Sequence, residues 1–204
     1  MVHRIQQSFF KDYDLRVFYN GIDLDMFKPT ESDFRQKYNL ENKYIVLGVA
    51  SDWSERKGID VMIELSNRLD ENYKVVVVGT TDIPGGDKIL ALPAVPAEEL
   101  RKIYTAADVF ANPTREEMFA NVNIEALACG TPIVLFNTEG IPEVLDEKSG
   151  VVVERNDIDG MQAWIEKICT NKLFSKEDCI NRASFFRKED RYMDYIKLFE
   201  EKRS

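Results

Sequence analysis

Residues 44–79, YIVLGVASDWSERKGIDVMIELSNRLDENYKVVVVG, decide the fold. They open on an apolar run, Tyr44 to Val49, and cross a polar loop into a stretch where Val61, Met62, Leu65 and Leu69 recur at helical spacing. They close on Lys74 to Val78, which is VVVV at 75 to 78. A strand without polar alternation is one covered on both faces, so strand, helix and strand here read as a parallel βαβ unit. The pattern repeats outward, with further strands expected at Lys88 to Leu92, Val109 to Ala111, Ile133 to Phe136 and Val151 to Val153. Leu100, Ile103 and Tyr104 mark a helix after Pro96, a residue that a first helical turn tolerates. Trp164, Ile165 and Ile168 mark another, and Tyr192, Tyr195, Ile196 and Phe199 a last one. The expectation is an α/β fold: an open, parallel, doubly wound (Rossmann-like) sheet of about six strands flanked by helices, with extra C-terminal helices. Residues 1–18 read as a linker or the remnant of a preceding domain, 19–170 as the Rossmann-like domain, and 171–204 as a helical extension.

The chain of 204 residues has room for one fairly large core, and 44% hydrophobic with 31% charged residues is the profile of a globular protein. A formal net charge of -9 repels phosphate backbones and anionic lipid, which excludes nucleic acid and the membrane surface as main partners. Cys129, Cys169 and Cys179 are odd in number and fit no metal spacing. They read as buried thiols in a reducing compartment. No run approaches the roughly 20 apolar residues that span a bilayer, so a cytoplasmic location is expected. Any membrane association is expected to be peripheral and to come from a part of the protein outside this chain.

Ligands of open α/β sheets sit beyond the carboxyl ends of the strands, where loops and helix N-termini converge. That rule points to Ser51–Gly58, Gly79–Asp87, Pro93–Pro96, Asn112–Asn121 and Asn137–Pro142. The most informative string is PTREEMFANVNIEALACGTPIV, 113 to 134, with Glu117 and Glu125 separated by seven residues. Asn121 reads as the N-cap of the helix, with Glu117 in the loop before it and Glu125 on its second turn. Backbone N–H groups from Phe119 through Ala120 and Asn121 to Val122 would point into the same space, with the positive end of the helix dipole behind them, a place for a diphosphate. Trp53 reads as rim packing or as a stacking platform. His3 is the only histidine and reads as a solvated residue near the chain start.

The 113–134 string resembles the motif of the GT4 (group 1) glycosyltransferases. The likeness extends to YNGIDLDMFKP at 19 to 29, SERKGIDVMIEL at 54 to 65, LRKIYTAADVFANPT at 100 to 114 and TEGIPEVL at 138 to 145. Short strings in register across residues 16 to 170 are specific together where each alone is weak. The resemblance implies the C-terminal, donor-binding domain of the two-domain GT-B architecture. It also implies a retaining transfer from a nucleotide-diphosphate sugar to a glycan or lipid-linked acceptor, as in polysaccharide biosynthesis. By likeness, Glu117 and Lys57 are the catalytic residues. Glu117 would lie near the transferred sugar, and Lys57 would neutralise the leaving diphosphate. Glu125 would accept hydrogen bonds from the ribose hydroxyls, with Arg56, Phe119, Ala120, Asn121 and Val122 lining the donor site. No metal or other cofactor is implied.

Three positions depart from the family pattern. Asp52 stands where the family has an arginine, which leaves Arg56 as its nearest replacement. Met118 and Ala120 replace glycines beside the aromatic, and Glu139 replaces the first of a glycine pair. The acceptor side belongs to an N-terminal domain outside this chain, so the chain alone is expected to bind nucleotide weakly and to transfer nothing. The aromatic-rich tail from Phe185 to Phe199 is expected to expose an apolar patch. Two other readings stay open: a non-catalytic nucleotide-binding or regulatory module of the same fold, and half of a sugar-nucleotide epimerase.

Overall fold

The computed structural model describes residues 7, 9–13, 15–83, 86–138 and 140–201. His3, Glu139 and, within the Gly79–Asp87 loop, Pro84 and Gly85 lie outside the described residues. Six strands form one sheet: β1 (Tyr44–Val49), β2 (Tyr73–Val78), β3 (Ile89–Leu92), β4 (Val109–Asn112), β5 (Ile133–Phe136) and β6 (Gly150–Val153). Their spatial order is β3-β2-β1-β4-β5-β6 and every pairing is parallel. Val46 is opposite Val75 on one side and Val109 on the other. The expected doubly wound sheet is therefore present, with strand bounds within one residue of those read from the sequence.

The seven described α-helices are α1 (Phe34–Lys37), α2 (Ile59–Arg68), α3 (Ala97–Ala106), α4 (Asn121–Ala128), α5 (Ile158–Asn171), α6 (Lys176–Ser184) and α7 (Lys188–Glu201). The all-apolar strands divide their residues between two cores by simple alternation. Val46, Val75, Val77, Val109 and Val134 face Val61, Met62 and Leu65 of α2 and Met161, Ile165 and Ile168 of α5. Ile45, Leu47, Val76, Phe110 and Leu135 face Tyr104 of α3, Ile124 and Leu127 of α4, and Cys179 and Ala183 of α6. Each such side chain, fully removed from water, contributes about 1.5–3 kcal/mol. The polar residues buried among them are hydrogen-bonded, as where Asn112 of β4 donates to Asn123 Oδ1 of α4 at 2.8 Å. The three cysteines are free and buried, and burial pushes each thiol up to about 12.

Pro96 is the N-cap of α3, just outside the first turn where it was expected. Its ψ of 157 is extended, and a missing N–H costs nothing there. Helix α7 has no buried residue, and Tyr192, Met193, Tyr195, Ile196 and Phe199 are exposed, which supplies the expected apolar face. The helix is anchored along one side: Phe18 stacks on Tyr195 at 4.8 Å between ring centroids, and Lys188 pairs with Asp23 at 2.5 Å.

At the amino end of β4, Asp108 Oδ2 accepts from Ile45 N–H at 2.7 Å and from Arg35 at 2.5 Å. The same guanidinium donates to the carbonyls of Ala106 and Lys43, tying the end of α3 to the start of β1. Asp108→Asn keeps the acceptor and removes the charge. The expected cost is about 1 kcal/mol, seen as a fall in Tm of about 2–4 °C in a chain of this size.

Candidate functional site

The strand order reverses at β1: β2 and β3 lie to one side of it and β4 to β6 to the other. The loops leaving β1 and β4 therefore diverge to helices on opposite faces and open a crevice between them. Those two loops carry Lys57 and Glu117, sixty residues apart in sequence. Lys57 ends a 3₁₀ turn, Glu55–Lys57, which Gly58 stops at φ +80. A Cβ at position 58 would lie 2.4 Å from the Pro113 carbonyl oxygen, so glycine is needed there for both conformation and space. The close approach brings the two loops together, and Lys57 Nζ donates to Glu117 Oε2 at 2.5 Å. Their side chains are 20% and 26% exposed, shielded from bulk water yet reachable by a ligand. Burial raises the Glu117 carboxyl, but the Lys57 hydrogen bond and charge outweigh it and hold the group below the usual glutamate value. Met118 N–H donates to the other carboxylate oxygen at 3.1 Å.

Glu125 is not joined to that pair. It lies on the second turn of α4, as expected, and its Oε2 accepts from the Tyr104 O–H at 3.1 Å. Burial pushes the Glu125 carboxyl up, with the Tyr104 hydrogen bond opposing it. The expected cap is also corrected. The N-cap of α4 is Ala120, with Asn121 as the first helical residue, and no side chain caps the helix. Phe119 is half-buried beside the turn, with its ring against Tyr19 and Phe186 at 5.8 Å from each, and this packing holds the chain in extended backbone at Ala120. Asn121 is exposed, and Val122 is partly buried against the α3, α4 and α6 core. In the first turn of α4 the Asn123 N–H donates to the Ala120 carbonyl at 3.1 Å, and no side chain caps the Asn121 and Val122 N–H groups ahead of it.

The family model for glycosyl transferases group 1 matches residues 30–184. The chain belongs to that family. Among similar proteins, a GDP-mannose-dependent alpha-(1-6)-phosphatidylinositol monomannoside mannosyltransferase of Mycolicibacterium smegmatis is 32% identical over 166 residues, covering 69% of this chain and 43% of that protein. A D-inositol 3-phosphate glycosyltransferase of Segniliparus rotundus is 32% identical over 154 residues, covering 66% of this chain and 34% of that protein. The chain thus spans between a third and a half of these curated relatives. Its fold is that of a sucrose-phosphate synthase from Thermosynechococcus elongatus (TM-score 0.85, 22% identity, 98% of this chain and 55% of that one). It is also that of Anabaena HepE, solved with UDP-glucose (TM-score 0.78, 18% identity, 91% and 57%).

Around the Lys57–Glu117 pair, this group 1 chain has a cleft of about 1120 Å³ walled by Arg56, Arg115, Glu116, Glu117, Met118, Asn137, Thr138, Glu154 and Arg155. Arg56 is exposed and donates to the Glu116 carbonyl at 3.1 Å, which places the sequence-designated arginine on the wall. Of the sequence-designated residues only Arg56 and Glu117 are on it; Lys57, Phe119, Ala120, Asn121, Val122 and Glu125 are not, and Lys57 reaches it through Glu117. Asn137 and Thr138 lie in a loop the carboxyl-end rule had marked. Glu154 and Arg155 follow β6, and the same rule applied to that strand would have found them. Arg115 lies in the marked Asn112–Asn121 loop, but its pairing with Asp60, 55 residues away, had no sequence signal. Trp53 is a packing residue: its Nε1–H donates to the Val78 carbonyl at 2.9 Å and the ring lies against the α2 and α5 core. No described helix is long and apolar enough to cross a membrane.

Proposed function

We propose that this chain is the donor-binding half of a retaining glycosyltransferase of the GT4 type, holding a nucleotide-diphosphate sugar at the crevice between the β1 and β4 loops. The observation that carries the reading is the contact of Lys57 with Glu117 across the switch point of the sheet. A cation and a carboxylate held together there match the two ends of a sugar diphosphate. The ammonium meets charge growing on the departing diphosphate, and the carboxylate accepts from sugar hydroxyls and faces the electron-poor ring carbon. The Asn121 and Val122 N–H groups at the start of α4, which no side chain caps, add to the diphosphate site. Glu125 takes the ribose hydroxyls, a task for an acceptor-only group. That HepE shares the fold and was solved with UDP-glucose supports the reading, as does the GDP-mannose dependence named for the mycobacterial relative. The acceptor, a glycan or lipid-linked glycan, is assigned to a further domain, as is any approach to a membrane.

Calorimetric titration of the chain with UDP, GDP and ADP checks this. One of the three is expected to bind with a Kd of about 10 μM to 1 mM, within the usual range of substrate affinities. Binding is expected to be unchanged by EDTA and lost in Glu125→Ala. If none of the three binds, the non-catalytic module becomes the better reading. Exposed Asp52 and Met118, which stand where the family has an arginine and a glycine, are what favour that second reading.

A further inference from the structure

We infer that Arg115 is a positioning residue that clamps the turn carrying Lys57 against the loop carrying Glu117, and so fixes the geometry in which the two charges meet. The part of this inference that concerns a diphosphate rests on the function proposed above. The clamp itself does not.

Lys57 sits on a 3₁₀ turn of three residues, Glu55–Lys57, too short to hold its own shape. The turn's own bonds run to the Ser54 and Glu55 carbonyls, and the bonds that fix it against the neighbouring loop come from residues 114–116. Arg115 N–H donates to the Arg56 carbonyl at 2.9 Å, and Thr114 Oγ1–H donates to the same oxygen at 3.3 Å. In the other direction, Arg56 Nη1 donates to the Glu116 carbonyl at 3.1 Å. The Arg115 guanidinium closes the arrangement. Its Nη1 donates to the Glu55 carbonyl, at the start of the turn. Its Nη1 and Nη2 form a fork onto Asp60 at 2.8 and 2.6 Å, in the first turn of α2, and its Nε donates to Asn156 Oδ1 at 2.7 Å beyond β6. One planar group thus holds both ends of the segment that contains Lys57 and ties it to a third loop.

An arginine on the wall of this cleft invites a simpler role as a phosphate ligand. The hydrogen bonds argue against it. The two-pronged face that would take a phosphate is already bound to Asp60. The Arg115 hydrogen bond, ahead of the opposing effect of burial, holds the Asp60 carboxyl below its usual range, so the carboxylate stays charged and keeps the fork. Lys57 reaches the cleft through Glu117, and Arg115 acts by holding the turn that carries it. Lysine in place of Arg115 keeps the charge but has no fork, so it cannot span Asp60, Glu55 and Asn156 together.

The test uses Arg115→Lys and Asp60→Asn in the whole chain, with circular dichroism and Tm showing that both fold. Without ligand, the acetylation rate of the Lys57 amine by acetic anhydride, read by mass spectrometry, is expected to rise several-fold in both variants. Amide exchange over 54–58 and 114–117 is expected to rise with it. Unchanged Lys57 reactivity would overturn the clamp. With whichever of UDP, GDP or ADP binds, affinity is expected to fall about 5–10-fold in Arg115→Lys and to fall no further when Lys57→Ala is added to it than in Lys57→Ala alone. Fully additive losses would overturn action through Lys57. If the parent chain takes none of the three nucleotides, the proposed function fails, and Lys57 reactivity still decides the clamp.

Discussion

Lys57→Ala is expected to lower affinity for the bound nucleoside diphosphate roughly 100-fold. One charge-assisted hydrogen bond to a charged partner is worth about 1.5–3 kcal/mol, and each 1.4 kcal/mol is tenfold in affinity. The loss should be much smaller for the matching nucleoside, which carries no phosphate. Lys57→Arg should recover part of it, because the charge returns with different reach. Removing Lys57 also leaves Glu117 partly buried without its cation. The pair holds the Glu117 pKa below its unfolded value, so its stabilising effect is present above that unfolded value and is lost as pH falls through the lower folded one. The Tm difference between parent and Lys57→Ala should therefore be largest near neutral pH and shrink in acid. A calorimetric titration series and thermal melts from pH 3 to 8 check both. Equal losses for diphosphate and nucleoside would remove Lys57 from the diphosphate site.

Glu125→Gln is expected to weaken nucleotide binding roughly 30-fold while making the chain more stable. The affinity loss follows from replacing an acceptor that takes two hydroxyls by an amide that takes fewer and carries no charge. The stability gain follows from the opposite sign at this site. Burial raises the Glu125 pKa in the folded chain, with the Tyr104 bond only partly opposing it, so folding favours the neutral acid. That preference is fully satisfied below the unfolded pKa and turns into a cost as pH rises through the folded one. Glutamine is neutral throughout and still accepts from the Tyr104 O–H. Its Tm should exceed the parent's by a few degrees at pH 7 and match it below about pH 4, where glutamate is protonated in both states. A Glu125→Gln variant that is less stable at pH 7 and binds nucleotide normally would show that this carboxylate serves only the fold.

The sequence by itself determined the layers and the strands. Runs such as VVVV at 75–78 can only be buried on both faces, and Val61, Met62, Leu65 and Leu69 can form an apolar stripe only on a helix. The location of Glu125 on a second helical turn also followed from spacing alone. The cap did not. Asn121 has the right chemistry, but the helix begins one residue earlier because Phe119 packs on Tyr19 and Phe186, which lie far away in sequence. In the same way Glu125 turns to Tyr104, a partner 21 residues distant on another helix. Tertiary structure alone decided that Lys57 and Glu117 touch, that Glu125 stands apart from them, and that Arg115 pairs with Asp60. The physical reason is reach: local spacing fixes backbone conformation and the face on which a side chain lies, whereas contact between loops sixty residues apart depends on strand order, and strand order is set by which apolar faces can be buried together.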